Sequence, residues 1–434
     1  MDVTIEPAGA PLRGSIRVPS DKSISHRAVL FAAMAEGTSV LCDVLDAYDV
    51  RSTISAVSAL GAGVATRPGA DGLDVVVQGW GARGPHAPAG PIDCGNSGTT
   101  ARLLMGVLAG YPLAVRLVGD ASLSRRPMRR VTDPLERMGA RFCVSGSGTL
   151  PIEVHGGDLV GCDHTLGVAS AQVKSALLLA GLHARGVTRV TEPAPSRDHT
   201  ERLLPAFGAD LVRESSTCVR LSGPQDLVAT DVPVPADPSS AAFLIVAALL
   251  VPGSEVVFRD VCLNPTRTGF FEVLRRMGAD ITVVRSRRSG GEDVGDVAVR
   301  HSGALRGTTV VPEEVPSLID EVPVLAVAAT AAEGATRFCS VGELRVKESD
   351  RFDAIVGGLQ AMGARAYADG DDLVVEGPAR LQGASVSSRG DHRLAMAFAV
   401  AGLAAQEPVR IRAFEAVEIS YPRFLDDLAR LAAG

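Results

Sequence analysis

The chain has 434 residues, is 46% hydrophobic but only 4% aromatic, and carries a formal net charge of −7. Its length calls for more than one domain, its core must be aliphatic, and its acidic balance gives no footprint for nucleic acid. Seven cysteines without a CxxC pair fit reduced thiols. Eight histidines without HExxH spacing give no zinc site, and the longest apolar run, Ala241 to Val251, is too short for a bilayer. With no charged-then-apolar leader at the start, a cytoplasmic protein is expected.

Only three lysines, Lys22, Lys174 and Lys347, stand against forty arginines. Where a generic cation would suffice this chain uses Arg, so the lysines become candidates for sites that need a compact, titratable charge. The first, in PSDKSISHR (Pro19 to Arg27), precedes an apolar helix read from Ala28, whose start would favour an anion. CGNSGTTARLL (Cys94 to Leu104) sets glycines and hydroxyls before a second helix. It could form an anion nest or a plain turn, and it lacks the Gly-Lys-Ser/Thr of a P-loop. SLSRRPMRR (Ser122 to Arg130) packs four arginines into nine residues, with Arg126 fixed next to Pro127. ASAQVKSALLLAG offers Ser170 and Gln172 at a helix start, with Lys174 expected to face solvent. PSRDHTERLL adds Ser196 and Arg197 at another start.

Further on, PSLIDEVPVLAVAA puts Asp320 and Glu321 at the mouth of a buried helix, as helix-end charges or as a base near a hydroxyl. ELRVKESDR is read as one helical turn, with Lys347 and Arg351 sharing a face and Glu348 between them. GDHRLAMAFAVAG sets Asp391, His392 and Arg393 before a last apolar helix, with His392 read as structural.

Two phrases interleave along the whole chain. A helix ends on a large apolar residue, Gly and Ala at Gly61, Gly139, Gly208, Gly278 and Gly363, where a left-handed terminator is expected. An Ala/Leu-rich helix followed by a β-branched run recurs six times, from FAAMAEGTSVLCDV to AVAGLAAQEPVRIRAF. The period is roughly 70–80 residues. Six such units predict an α/β protein of two domains with three units each, divided near Pro19 and the Pro-rich stretch from Val232 to Pro238. Cationic and hydroxyl-bearing helix starts spread over all six would surround a multiply anionic substrate pair between domains.

The motifs PSDKSISHR, GNSGTTAR, DASLSRRPM, SAQVKSALLLAG, RVKESDR and DHRLAMAFAVAG resemble those of the 5-enolpyruvylshikimate-3-phosphate synthase family, and the likeness runs from about Pro11 to Phe424. The resemblance implies two similar domains of three βαβαββ units, an inside-out α/β barrel. The first would comprise 1–19 plus 238–434 and the second 20–237, with the active site in the cleft. It implies transfer of the enolpyruvyl group of phosphoenolpyruvate to the 5-hydroxyl of shikimate 3-phosphate, through a tetrahedral intermediate, with release of phosphate. No cofactor, metal, nucleic acid or membrane is implied, and a monomer is expected.

Position by position, Lys22, Arg126, Arg351 and Arg393 resemble the phosphoenolpyruvate clamp, with Gly98 and Gln172 lining it. Ser23 and Arg27 resemble the shikimate carboxylate site; Ser170, Ala171, Gln172 and Arg197 resemble the phosphate side. Lys22 also reaches shikimate 3-phosphate in this reading. Asp320, with Lys347 nearby, would take the 5-hydroxyl proton, and Glu348 and Lys22 would handle protons at the pyruvyl carbon and bridging oxygen. Ile419 stands where many members have Lys, so one phosphate contact is missing or is supplied elsewhere. Gly98 implies room for the inhibitor glyphosate, while Leu103, where sensitive members often have Pro, points the other way. The alternatives are UDP-N-acetylglucosamine enolpyruvyl transferase, which would have Lys-Asn at Lys22-Ser23, and a non-catalytic anion-binding protein on the same scaffold.

Overall fold

A computed structural model describes residues 1–144 and 146–434. The chain forms two compact units. One comprises Met1–Pro19, Pro235–Arg288 and Asp293–Gly434; the other comprises Ser20–Val234 with Ser289–Glu292. They are called here the first and second units.

The second unit holds helices α1 (Lys22–Met34), α2 (Tyr48–Ala59), α3 (Gly98–Ala109), α4 (Arg129–Met138), α5 (Ala171–Gly181) and α6 (His199–Leu203). Beyond their first turns α1, α3 and α5 are buried almost all round, as helices apolar on every face must be. Three sheets surround them, each built to one plan. Thr38–Val44 pairs in parallel with Val232–Pro233 and antiparallel with Leu73–Gln78, which pairs with Gly63–Pro68. Ala114–Val118 repeats this with Ile92–Asp93, Ile152–His155 and Arg141–Val144. Gly186–Thr191 repeats it with Asp163–Thr165, Cys218–Gly223 and Leu211–Arg213.

The first unit follows the same scheme with α7 (Pro238–Leu250), α8 (Gly269–Arg276), α9 (Val322–Thr330), α10 (Arg351–Ala361), α11 (His392–Leu403) and α12 (Phe424–Ala432). Here α7, α9 and α11 pack on one another at the centre. Its third sheet is the smallest: Val409–Arg412 pairs with Ser385–Ser387 and with Val3–Ile5 from the start of the chain.

Two sets of glycines explain the repeat physically. The five predicted terminators, Gly61, Gly139, Gly208, Gly278 and Gly363, all hold φ between +85° and +116°, a region costly for any side chain. A second set closes strand against helix. A Cβ on Gly79, Gly156, Gly223 or Gly377 would lie 2.0, 2.1, 2.2 and 2.3 Å from the carbonyl oxygens of Ala35, Leu108, Gly181 and Ala332. Each marks the place where a strand leaves the sheet against the end of a buried helix, and nothing larger than hydrogen fits.

Candidate active site

In the second unit the candidate residues gather at the starts of its three buried helices. Helix α1 begins at Lys22, not Ala28: Asp21 caps it by accepting the Ile24 N–H at 2.8 Å, so Ser23 and Arg27 lie on the helix itself. Lys22 donates to Asp49 at 3.0 Å. Arg27, buried, donates to the Thr200 hydroxyl and the Ser175 hydroxyl, both at 2.7 Å, and to the Ser23 carbonyl at 3.1 Å. Its guanidinium thus ties α1 to α5 and α6. Behind it, burial together with the charges of Lys22 and Arg27 pushes the His26 imidazole well below the usual histidine range, and Thr53 holds its Nδ1 at 2.7 Å.

Gly98 is the first residue of α3, capped by Ser97. A Cβ there would meet Arg102 and Arg126 guanidinium nitrogens at 3.2 Å each. Arg126 donates to Asn96 at 2.8 Å. Gln172 accepts from Arg102 at 2.5 Å and donates to Thr99 at 2.9 Å, so its amide is held in one orientation. Ser170 caps α5, with Ala171 and Gln172 in its first turn. Arg197 lies half-buried two residues before α6.

In the first unit Arg351, only 1% exposed, organises the remainder. It donates to Asp391 at 2.8 Å, to Asp320 at 3.1 Å and to Glu348 at 2.5 Å. Burial opposes its charge, but the three carboxylates outweigh it and hold the guanidinium more firmly protonated than usual. Asp391 caps α11 by accepting the Arg393 N–H at 2.9 Å. Arg393 reaches the Asp320 carbonyl at 3.2 Å and Glu321 at 3.4 Å. Glu321 is buried against the Ser239 hydroxyl, which also accepts from Arg267 at 2.8 Å. Burial, opposed by Asp320 and reinforced by Arg351, lowers the Lys347 ammonium below its ordinary value. That is the direction which makes an amine a better proton carrier.

Two further expectations are corrected. Lys174 does not face solvent. Its side chain is 5% exposed, 2.7 Å from Glu192 and 2.8 Å from Glu201. Lys347 and Arg351 do not share one helical turn: a 3₁₀ turn over Gly342–Val346 ends before Lys347, and α10 starts at Arg351 behind the cap Asp350. The kink aims Glu348 back at Arg351. Asp49, Arg102, Glu192, Glu201 and Arg267 were missed: Asp49, Glu192 and Arg267 lie outside the motifs, while Arg102 and Glu201 lie inside CGNSGTTARLL and PSRDHTERLL, where their partners Gln172 and Lys174 come from another stretch. Asp391 stood in plain view beside Arg393, but only geometry shows its second bond to Arg351.

A family model for EPSP synthase (3-phosphoshikimate 1-carboxyvinyltransferase) matches residues 7–428. The chain belongs to the EPSP synthase family. A relative from Halorhodospira halophila named 3-phosphoshikimate 1-carboxyvinyltransferase is 53% identical over 431 residues, covering 99% of this chain and 96% of that one. One of the same name from Bacillus thuringiensis is 47% identical, covering 99% of both. An EPSP synthase structure from Acinetobacter baumannii superposes with a TM-score of 0.88 at 42% identity, over 99% of this chain and 98% of that one. The two-domain inside-out α/β fold of EPSP synthases is therefore the fold of this chain. The enolpyruvyl transferase NikO from Streptomyces tendae shares that fold at 20% identity and a TM-score of 0.77.

Proposed function

We propose that the chain transfers the enolpyruvyl group of phosphoenolpyruvate to the 5-hydroxyl of shikimate 3-phosphate in the shikimate pathway. The family match over residues 7–428 carries this reading, and the helix-start cations in both units are the groups such a reaction needs. Two highly charged anions must be held together, which fixed cations do at least reorganisation cost.

In this reading Lys22, Arg126, Arg351 and Arg393 hold phosphoenolpyruvate, with Gly98 and Gln172 against it. Ser23 and Arg27 take the carboxylate of shikimate 3-phosphate, and Ser170, Ala171, Gln172 and Arg197 take its phosphate side. Asp320, oriented by Arg351 at 3.1 Å, accepts the 5-hydroxyl proton as the C–O bond forms at C2 of phosphoenolpyruvate. Glu348 delivers a proton to the methylene carbon, completing the tetrahedral intermediate. In elimination that carbon returns a proton to Glu348, the C2–O bond to phosphate breaks, and Lys22 meets the charge on the leaving group. Lys347, with its lowered proton affinity, supports Asp320. We further propose a cytoplasmic monomer.

The test is Glu348→Gln. Turnover should fall by about 10²- to 10⁴-fold, the range for a lost general acid or base, while binding of both substrates stays within about threefold. Full activity in this variant would remove Glu348 from the chemistry. Full binding with no turnover in the unmodified protein would favour an anion-binding module.

A further inference from the structure

Lys174 is the one lysine that the proposed chemistry does not use, and it is among the most deeply buried cations. Its ammonium bridges Glu192 Oε2 at 2.7 Å and Glu201 Oε1 at 2.8 Å, with those carboxylates 1% and 5% exposed. Burial works against its charge, yet Glu201 and Glu192 together hold its proton affinity above the ordinary lysine value. One cation thus serves two carboxylates away from water, and Glu201 Oε2 has no hydrogen-bond partner among the described residues. Such a cluster is costly to bury, and replacing all three charged groups together by well-packed apolar side chains is often neutral or stabilising, whereas removing the ammonium alone leaves two buried carboxylates uncompensated.

What it holds lies at its ends. Glu192 Oε1 accepts the backbone N–H of Ser170 at 2.9 Å, fixing the turn that starts α5. Glu201 belongs to α6, four residues after Arg197 and one after Thr200. Thr200 accepts from Arg27 at 2.7 Å and is 2.7 Å from the hydroxyl of Ser175, the neighbour of Lys174. The ammonium therefore ties the segment bearing Ser170 to the segment bearing Arg197. It also cancels negative charge that would otherwise oppose a phosphate dianion there. A single nitrogen bridging both carboxylates explains why this chain, which uses arginine elsewhere, keeps a lysine; a planar guanidinium is a larger fork of different geometry.

We propose that Lys174 is a positioning residue for the phosphate group of shikimate 3-phosphate, acting through Glu192 on Ser170 and through Glu201 on the Arg197 segment. The inference rests on the functional reading above, in which Ser170 and Arg197 receive that phosphate. It does not place Lys174 in contact with substrate.

The experiment measures binding of shikimate 3-phosphate and of shikimate, which lacks the phosphate, by calorimetry, alongside thermal melts. The proteins are the unmodified chain, Lys174→Met, and Lys174→Met/Glu201→Gln. The double variant removes one buried carboxylate with the ammonium, so it carries the same test should the single variant fail to fold. Shikimate 3-phosphate affinity should fall about tenfold or more, the scale of a lost charge-assisted contact, while shikimate affinity changes by less than about threefold. Unchanged affinity for both ligands, or an equal fall for both, in a folded variant would overturn the proposal. Unmodified protein that binds shikimate 3-phosphate no better than shikimate would overturn it too, and would locate the failure in the Ser170 and Arg197 assignment.

Discussion

Asp391→Asn separates the site from the fold with one atom. Asp391 is fully buried and accepts from Arg351 Nε at 2.8 Å, from Arg351 Nη2 at 3.3 Å, from Ser349 at 3.1 Å and from the Arg393 N–H at 2.9 Å. Asn caps a helix about as well as Asp, so α11 should keep its start. What is lost is one charged oxygen opposite Arg351, leaving an amide where a carboxylate stood. A hydrogen bond to a charged group contributes about 1.5–3 kcal/mol. At 1.36 kcal/mol per tenfold, that is about a 10- to 150-fold fall in kcat/KM for phosphoenolpyruvate. The assay is steady-state phosphate release at saturating shikimate 3-phosphate, with a thermal melt as control. A folded variant whose kcat/KM for phosphoenolpyruvate stays within about twofold of the parent would refute the claim that Asp391 sets the Arg351 guanidinium.

Gly98→Ala puts a methyl 3.2 Å from the Arg102 and Arg126 guanidiniums; KM for phosphoenolpyruvate should rise and glyphosate inhibition should weaken by a larger factor, read from inhibition curves of both proteins. Gly156→Ala sets its Cβ 2.1 Å from the Leu108 carbonyl oxygen; overpacking of this kind costs about 1–3 kcal/mol, seen as a lower Tm with the site chemistry intact at low temperature. Burial lowers His164 and His183 to about 4 each. Between pH 6.5 and 4 the unfolded chain therefore binds more protons, and stability should fall on acidification through that window. Replacing both by Asn should flatten the loss, as followed by melts at each pH. Burial pushes the Cys94 thiol up to about 12, so in the native protein it should resist a thiol reagent that labels exposed Cys42 and Cys143.

The fold was legible because its repeat is written in glycine. Gly61, Gly139, Gly208, Gly278 and Gly363 announce helix ends by a backbone conformation that other residues adopt only at a cost, and all five hold it. The buried helices were legible because α7 and α9 are apolar on every face. The site was legible where its residues lie in one stretch, as at Lys22, Ser23 and Arg27. It was not legible where charge is matched across distant segments. Lys174 reads as a surface lysine until Glu192 and Glu201 are brought to it, and those partners lie 18 and 27 positions on, beyond the end of α5 and past an intervening strand. The kink before Arg351 was hidden for a related reason: the Asp350 cap that starts α10 lies inside a run of charges that reads equally well as one helix turn.

The central claim is tested most directly by phosphate release from phosphoenolpyruvate, measured in parallel with shikimate 3-phosphate and with UDP-N-acetylglucosamine as acceptor. Release with shikimate 3-phosphate alone is the predicted result. Release with UDP-N-acetylglucosamine alone would contradict the acceptor site assigned to Ser23, Arg27, Ser170 and Arg197, and release with neither would contradict the transfer reaction itself.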